Sequence, residues 1–126
     1  MLRYSRSPAF KFQNVLSVEG GAEANLDGLD VSELTTPERI VLVTGAGSSA
    51  NIARSTVDNV RVTTTGNDWV VYQATNGAKL SVSDTTFSNN AGARSFISGI
   101  GGSEINIVRV DVVDNGGGLA LVSGFI

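Results

Sequence analysis

One pattern occurs twice in this chain, first in Gly77-Ala-Lys-Leu-Ser-Val-Ser-Asp-Thr-Thr-Phe-Ser-Asn-Asn90 and again, 25 residues later, in Gly102-Ser-Glu-Ile-Asn-Ile-Val-Arg-Val-Asp-Val-Val-Asp-Asn115. The same register extends backwards to Gly21 and Gly47, so four anchor glycines are separated by 26, 30 and 25 residues. A fixed period of roughly 20 to 50 residues is typical of stacked structural repeats. The chain is therefore predicted to be a repeat protein.

Apolar residues occupy the same four positions of every repeat, five residues before the anchor and three, five and ten residues after it. Within a repeat these positions alternate with polar ones, which is typical of strands. Short strands joined by polar corners predict one coil of a parallel β-solenoid per repeat, each strand pairing with its equivalent in the next coil. The four columns are Leu16, Leu42, Tyr72 and Ile97; Ala24, Ala50, Leu80 and Ile105; Leu26, Ile52, Val82 and Ile107; and Val31, Val57, Phe87 and Val112.

The Phe87-Ser-Asn-Asn90 corner, with a later Gly-Gly segment and a new strand, is similar to the FxxN and GGxx repeats of polymorphic outer-membrane and adhesin-type β-helices. From about Val15 to Ile126 the chain resembles the right-handed parallel β-helix of the pectin-lyase-like superfamily. We expect an all-β solenoid of about four to five coils, uncapped at its C-terminus, over residues 14–126. Residues 1–13 are predicted to form a partial coil or cap. A left-handed hexapeptide helix would need an aliphatic residue at every sixth position, which this sequence lacks.

Composition narrows the chemistry that is available to the chain. Among its 126 residues there is no Cys and no His, which excludes disulfides, thiolate or imidazole metal sites, and Ser-His-Asp or Cys-His catalysis. The net charge is −3 and the nine basic residues are scattered singly, so nucleic acid is not an expected partner. No apolar window is long enough to span a membrane, no secretory signal is visible, and no cofactor is predicted.

The first candidate site is the outward column four residues after each anchor: Asn25, Asn51, Ser81 and Asn106. Equivalent residues of neighbouring coils are expected to stack about 4.8 Å apart. One interpretation is an amide ladder that stabilises the stack. The other follows from the resemblance, because the polysaccharide groove of pectin-lyase-like proteins runs along this strand face, and the three asparagines would then meet sugar hydroxyls.

The second candidate column lies seven residues after each anchor and alternates in charge: Gly28, Arg54, Asp84 and Arg109. An Asp between two Arg on successive coils predicts an electrostatic ladder. The alternative is that Arg54 and Arg109 recognise an acidic sugar, because a guanidinium matches a carboxylate with two hydrogen bonds. Lys79 and Glu104 are expected to form a surface ion pair of little energetic value.

The corner column, twelve residues after each anchor, is expected to adopt the left-handed backbone conformation, which Asn tolerates. It consists of Glu33, Asn59, Asn89 and Asp114, with Asn90 and Asn115 following the last two. A calcium site built from Asp111, Asp114 and neighbouring carbonyls is an alternative, but no spacing here matches a known calcium loop such as the EF-hand.

Trp69 is the last candidate, because it stands at the foot of a loop at residues 63–68 that lengthens the second coil by about five residues. Insertions in repeat proteins often form the binding face. We expect either a platform on which a sugar stacks or a ring that covers the gap beside the loop.

Function is less determined than fold. Enzymes of the pectin-lyase-like superfamily cleave uronic-acid polymers with Asp, Arg and Lys clusters, but this chain has no Asn-Thr-Asp, Asp-Asp, Gly-His-Gly or Arg-Ile-Lys motif, so no catalytic residue is carried over. The columns show no two outward carboxylates at a separation suitable for glycoside hydrolysis. Glu23 and Asp27 share a strand face, but they are a single pair on an exposed face. The first hypothesis is a non-catalytic scaffold, adhesin or glycan-binding segment of an extracellular or cell-surface protein. The alternatives are a fragment of a polysaccharide lyase or glycoside hydrolase, and a solenoid that self-associates through uncapped coil ends.

Overall fold

A computed structural model of the chain describes residues 3–4, 14–33, 35–36, 39–62, 70–91, 95–115 and 120–125. Strands are the only regular secondary structure in these ranges. No candidate membrane-spanning helix is found in the part of the chain that the structure describes. The strands are β1 (Arg3–Tyr4), β2 (Asn14–Val18), β3 (Glu23–Asp27), β4 (Asp30–Ser32), β5 (Thr35–Thr36), β6 (Arg39–Thr44), β7 (Ser49–Ala53), β8 (Thr56–Asp58), β9 (Arg61–Val62), β10 (Val70–Thr75), β11 (Lys79–Ser88), β12 (Ser95–Ile100), β13 (Glu104–Val113) and β14 (Ala120–Phe125).

These strands form parallel sheets that stack along one axis. The largest sheet has the order β1-β4-β8-β11-β7-β3, with β13 on the other edge of β11, and the second has the order β14-β12-β10-β6-β2. A short third sheet pairs β5 with β9, and Arg61 bridges onward to Ala91. Every strand is in parallel register with its equivalent one coil away, so the predicted all-β parallel solenoid is confirmed.

Each coil contributes strands to three faces, and each face is defined below by its strands. The back face consists of β2, β6, β10, β12 and β14. The amide face consists of β3, β7, residues 79–83 of β11 and residues 104–108 of β13. The Asp-Thr face consists of β4, β8, residues 85–88 of β11 and residues 110–113 of β13, with β1 beyond β4.

The stack contains about three coils, fewer than the four to five that were expected. Within the described residues, three coils reach the third sheet, through β5, β9 and Ala91, and β12, β13 and β14 continue the two larger sheets. The predicted right hand stays a prediction. So does the assignment of residues 1–13 to a partial coil or cap, of which the structure describes only β1.

Left-handed backbone conformations turn the chain at fixed places in each coil. The bend between the amide face and the Asp-Thr face has φ values of 74°, 50°, 50° and 53° at Gly28, Arg54, Asp84 and Arg109. The next corner has φ values of 51° to 54°, which confirms its predicted conformation, at Glu33, Asn59, Asn89 and Asp114. Residues 79–88 form one ten-residue strand, β11, that bends at Asp84.

The predicted inward columns form the core. Leu80, Val82 and Phe87 of the middle coil are at most 1% exposed, and each is level with its predicted neighbours. The ends of the stack are less covered, since Leu26 and Ile107 are only partly buried. The last residue of one inward column, Val112, lies level with Phe87 yet is 44% exposed, because no described strand pairs with the outer edge of β13.

One inward residue was predicted wrongly. Val41, not Leu42, lies level with both Leu16 and Tyr72, and Val41 is 1% exposed whereas Leu42 is half-buried. The turn between Thr44 and Gly47 holds one residue more than the equivalent turn of the next coil. Counting back from the anchor glycine therefore arrives one residue too late in this coil.

Candidate functional site

The amide face is an exposed, mostly polar surface. Because side chains alternate along a strand, every second residue of β3, β7, β11 and β13 points away from the core here. The parallel register arranges these residues in columns across four strands. The exposed members are Glu23, Asn25, Asp27, Asn51, Lys79, Glu104, Asn106 and Val108.

The asparagine column on this face is only partly a ladder. Asn51 Nδ2 donates to Asn25 Oδ1 at 2.9 Å, one coil away. Ser81 then interrupts the column, and Asn106 Nδ2 donates to Glu104 Oε1 of its own strand at 3.2 Å. No donor reaches the side-chain oxygen of Asn51 or Asn106 from the residues described, so both remain available as acceptors.

The charged column beside the amides pairs differently from the prediction. Arg109 forms an ion pair with Asp84 one coil below, and its Nη2 donates to Asp84 Oδ2 at 3.0 Å. Arg54, which was expected to pair with Asp84, instead forms a hydrogen-bonded ion pair with Asp27. The column is therefore two separate ion pairs rather than an Asp shared by two Arg.

These contacts affect the pKa of Asp84. The hydrogen bond from Arg109 lowers the pKa of this carboxyl below its usual value, and the charges of Arg109 and Arg54 lower it further. Arg54 thus still influences Asp84 through its charge.

The predicted ion pair between Lys79 and Glu104 is confirmed, with 3.8 Å between Nζ and Oε2, and both side chains are more than half exposed.

A second polar cluster lies at the corner after the Asp-Thr face, and it was not predicted. Asp58 accepts hydrogen bonds from Ser88 Oγ at 2.8 Å and from Asn89 Nδ2 at 2.9 Å. These two donors lower the pKa of the Asp58 carboxyl, the one from Asn89 having the larger effect. The column spacing predicts that Asp58 lies level with Ser88. It does not predict that the side chain of Asn89 reaches back across one coil to Asp58.

A polar network inside the core was also not predicted. Ser55 Oγ and Thr85 Oγ1 lie 2.8 Å apart, Tyr72 OH lies 3.5 Å from Ser55 Oγ, and Thr85 Oγ1 donates to Ser83 O at 2.9 Å. Burial raises the pKa of Tyr72 to about 12. The network is sealed in the core and lines no open site.

Some predicted site residues are not placed. Trp69 and the loop at residues 63–68 lie outside the described residues. Within the described ranges no three acidic side chains gather to hold a metal ion, so Asp111 and Asp114 are not joined by a third carboxylate there. The structure brings Asn25 and Asn51 together. It places Asn106 and Arg109 on one strand, β13, and Arg54 at the bend after β7, two coils away.

Comparison of the chain with known protein families, with curated proteins and with solved structures finds no match in any of the three.

Proposed function

We propose that this chain is a non-catalytic β-helix segment of a secreted or cell-surface protein, and that its amide face binds a glycan. We also propose that its repeats are related to those of adhesin-type β-helices and of the pectin-lyase-like superfamily. The observation that carries it is the exposed pair Asn25 and Asn51, joined across two coils by one 2.9 Å hydrogen bond. That bond orients both amides and leaves Asn51 Oδ1 as an acceptor for sugar hydroxyls. The bond from Asn106 Nδ2 to Glu104 likewise leaves Asn106 Oδ1 as an acceptor.

The charges on and beside this face favour a neutral glycan over an acidic one. Arg54 is neutralised by Asp27, and Arg109 is neutralised by Asp84. Lys79 is likewise opposite Glu104. A uronic acid would have to compete with an existing carboxylate for each guanidinium, and the face offers no surplus cation to attract it.

The carboxylates support binding rather than catalysis. Glycoside hydrolysis uses one carboxylic acid with a raised pKa and a second carboxylate across the scissile bond. The described carboxyls with a clearly shifted pKa, Asp58 and Asp84, are both shifted downwards, so both favour the ionised form. A polysaccharide lyase or glycoside hydrolase fragment therefore remains the second candidate, favoured by the resemblance alone.

A glycan array followed by titration calorimetry tests the proposal. We expect a neutral polysaccharide to bind weakly, and Asn51→Ala and Asn25→Ala to reduce its affinity, because each removes a hydrogen-bonding amide from the face. Trp69→Ala tests the sugar-stacking prediction for that residue. Thr56→Ala is the matched control, since Thr56 is exposed on the Asp-Thr face instead.

Two outcomes would reject glycan binding by the amide face: no binding to any neutral glycan, or unchanged affinity in Asn51→Ala. Release of unsaturated or reducing sugar from a bound polysaccharide would instead establish the enzyme alternative.

A further inference from the structure

The last long strand carries the large exposed apolar residues of the described chain. Val108, Val112 and Val113 are 47%, 44% and 46% exposed, and all three belong to β13. The equivalent residues of β11, which β13 covers, are Ser83, Phe87 and Ser88. Val108 and Val113 thus stand where β11 has Ser83 and Ser88. Exposed edge strands usually carry polar or charged residues, which prevent association.

The backbone of β13 is also open. It pairs with β11 at nine residue positions, and among the described strands none pairs with its other edge. Its inward residues Ile105, Ile107 and Val110 are only partly buried, whereas Leu80 and Val82 of the coil below are at most 1% exposed. An open strand edge beside incompletely buried apolar side chains favours pairing with a further parallel strand.

The opposite end of the Asp-Thr face shows which strand can cover such an edge. There β1 pairs with β4, with Arg3 level with Asp30 and Tyr4 level with Val31. Asp30 and Val31 begin the columns that end in Asp111 and Val112 on β13. The two ends of this face therefore present the same Asp-Val pair, one covered by β1 and one open.

We propose that a second copy of this chain docks on β13, with its β1 lying parallel to residues 111–112. In this arrangement β1 of the second copy pairs on one edge with Asp111 and Val112 of the first copy. On its other edge it pairs with Asp30 and Val31 of the second copy.

Charge favours this occupant. Residues 1–13 contain Arg3, Arg6 and Lys11 and no acidic residue. On the receiving side Asp111 and Asp114 are exposed, and Arg109 is already paired with Asp84. In the proposed arrangement Arg3 of the second copy lies level with Asp111, so a basic residue meets an acidic strand.

The shapes of the two ends also match. β14 extends the back face one strand past β12, and β1 extends the Asp-Thr face one strand before β4. When β1 of the second copy covers residues 111–112, its β2 follows β14 on the back face. A gap one strand wide remains beside residues 104–108, so the contact is smaller than a full coil and association should require a high protein concentration.

The proposed contact joins different surfaces of the two copies. A head-to-tail contact that is not closed by a rotation produces an open filament rather than a dimer. The solution mass is therefore expected to keep rising with protein concentration.

Analytical ultracentrifugation and light scattering over a wide concentration range test the proposal, with circular dichroism on the same samples. Asp111→Lys replaces the attraction with repulsion, and Val113→Lys removes exposed apolar area, so both should remain at the monomer mass at concentrations where the wild type grows. Thr56→Lys is the matched control, because Thr56 is the exposed residue of the Asp111 column in a middle coil and should associate like the wild type.

Association that is weakened in both β13 variants, but not in Thr56→Lys, would support the proposal. It would be overturned by a wild type that stays monomeric throughout, by growth that stops at a dimer, or by Asp111→Lys and Val113→Lys associating as strongly as the wild type while keeping a strand-rich spectrum. Glycan binding by the amide face is independent of every one of these outcomes.

Discussion

Asn115 repeats, one coil further along the stack, the pair of hydrogen bonds that Asn90 makes. Asn90 Nδ2 donates to Val57 O at 3.0 Å, and Asn90 Oδ1 accepts from Val60 N at 2.8 Å. Asn115 Nδ2 donates to Phe87 O at 2.9 Å, and Asn115 Oδ1 accepts from the backbone N of Asn90 at 2.9 Å. Each amide side chain thus satisfies the corner backbone of the coil below, which a side chain without both a donor and an acceptor cannot do.

Replacement of Asn90 is expected to destabilise the fold strongly. Asn90 is 2% exposed, and Asn90→Ala leaves the buried N–H of Val60 without its acceptor, at about 1 to 3 kcal/mol, and also removes the hydrogen bond to Val57 O. Asn115→Ala should cost less, because Asn115 is half-buried and water can reach its partners more easily. Urea unfolding monitored by circular dichroism measures both, and equal losses in the two variants would contradict the structural role assigned to Asn90.

Alkaline pH should destabilise the fold through Tyr72. Its pKa is raised to about 12 in the folded protein, mainly by burial, against about 10 in an unfolded chain. The stabilisation is therefore complete below pH 10 and is lost as the pH rises towards 12, by about 1.4 kcal/mol per pH unit. Tyr72→Phe should be less sensitive over this interval. The measurement is the urea midpoint of the wild type and of Tyr72→Phe at each pH from 9 to 12. An equal fall of both midpoints with pH would count against a buried Tyr72.

Acidic pH should reveal the ion pair of Asp84 with Arg109. Since the folded pKa of Asp84 is depressed, its contribution to stability is present above the unfolded pKa and is lost as the pH falls through the folded one. NMR titration of the side-chain carboxyl carbon is expected to give a midpoint below the usual value for Asp.

Arg109→Gln should return the Asp84 midpoint towards that usual value. The Asp58 midpoint is the internal control, because its lowered pKa comes from Asn89 and Ser88 and should not change. A midpoint of Asp84 that is the same with and without Arg109 would refute the assigned cause.

Two neighbouring glycines allow backbone conformation and steric contact to be separated. Gly101 and Gly102 have φ values of 64° and 76°, so Ala is strained at either position by roughly 1 to 2 kcal/mol. A Cβ on Gly101 would lie 3.0 Å from the backbone N of Asn76, whereas one on Gly102 would meet nothing within 4 Å. Gly101→Ala should therefore lower the free energy of unfolding more than Gly102→Ala, by about 1 kcal/mol or more. A smaller loss in Gly101→Ala would mean that the strands shift to relieve the contact.

Much of the candidate site was predictable because it depends on register alone. The repeat period places Asn25 level with Asn51, and Lys79 level with Glu104, and both pairs are in contact. The partner of Arg54 was not predictable, since Asp27 and Asp84 lie on opposite sides of it and the spacing of columns does not distinguish them. The choice depends on the direction that the side chain takes from a left-handed bend.

Sequence by itself determined the parallel solenoid, its inward columns and its left-handed corners, because strand alternation, repeat period and the conformational tolerance of Gly and Asn are local properties. Tertiary structure alone decided that Val41 replaces Leu42 in the core, that Ser55, Thr85 and Tyr72 share a buried polar network, and that β13 is left open beside exposed valines. These features depend on turn length, on side-chain direction and on which strand comes to lie over another. Such relations exist only once successive coils are stacked.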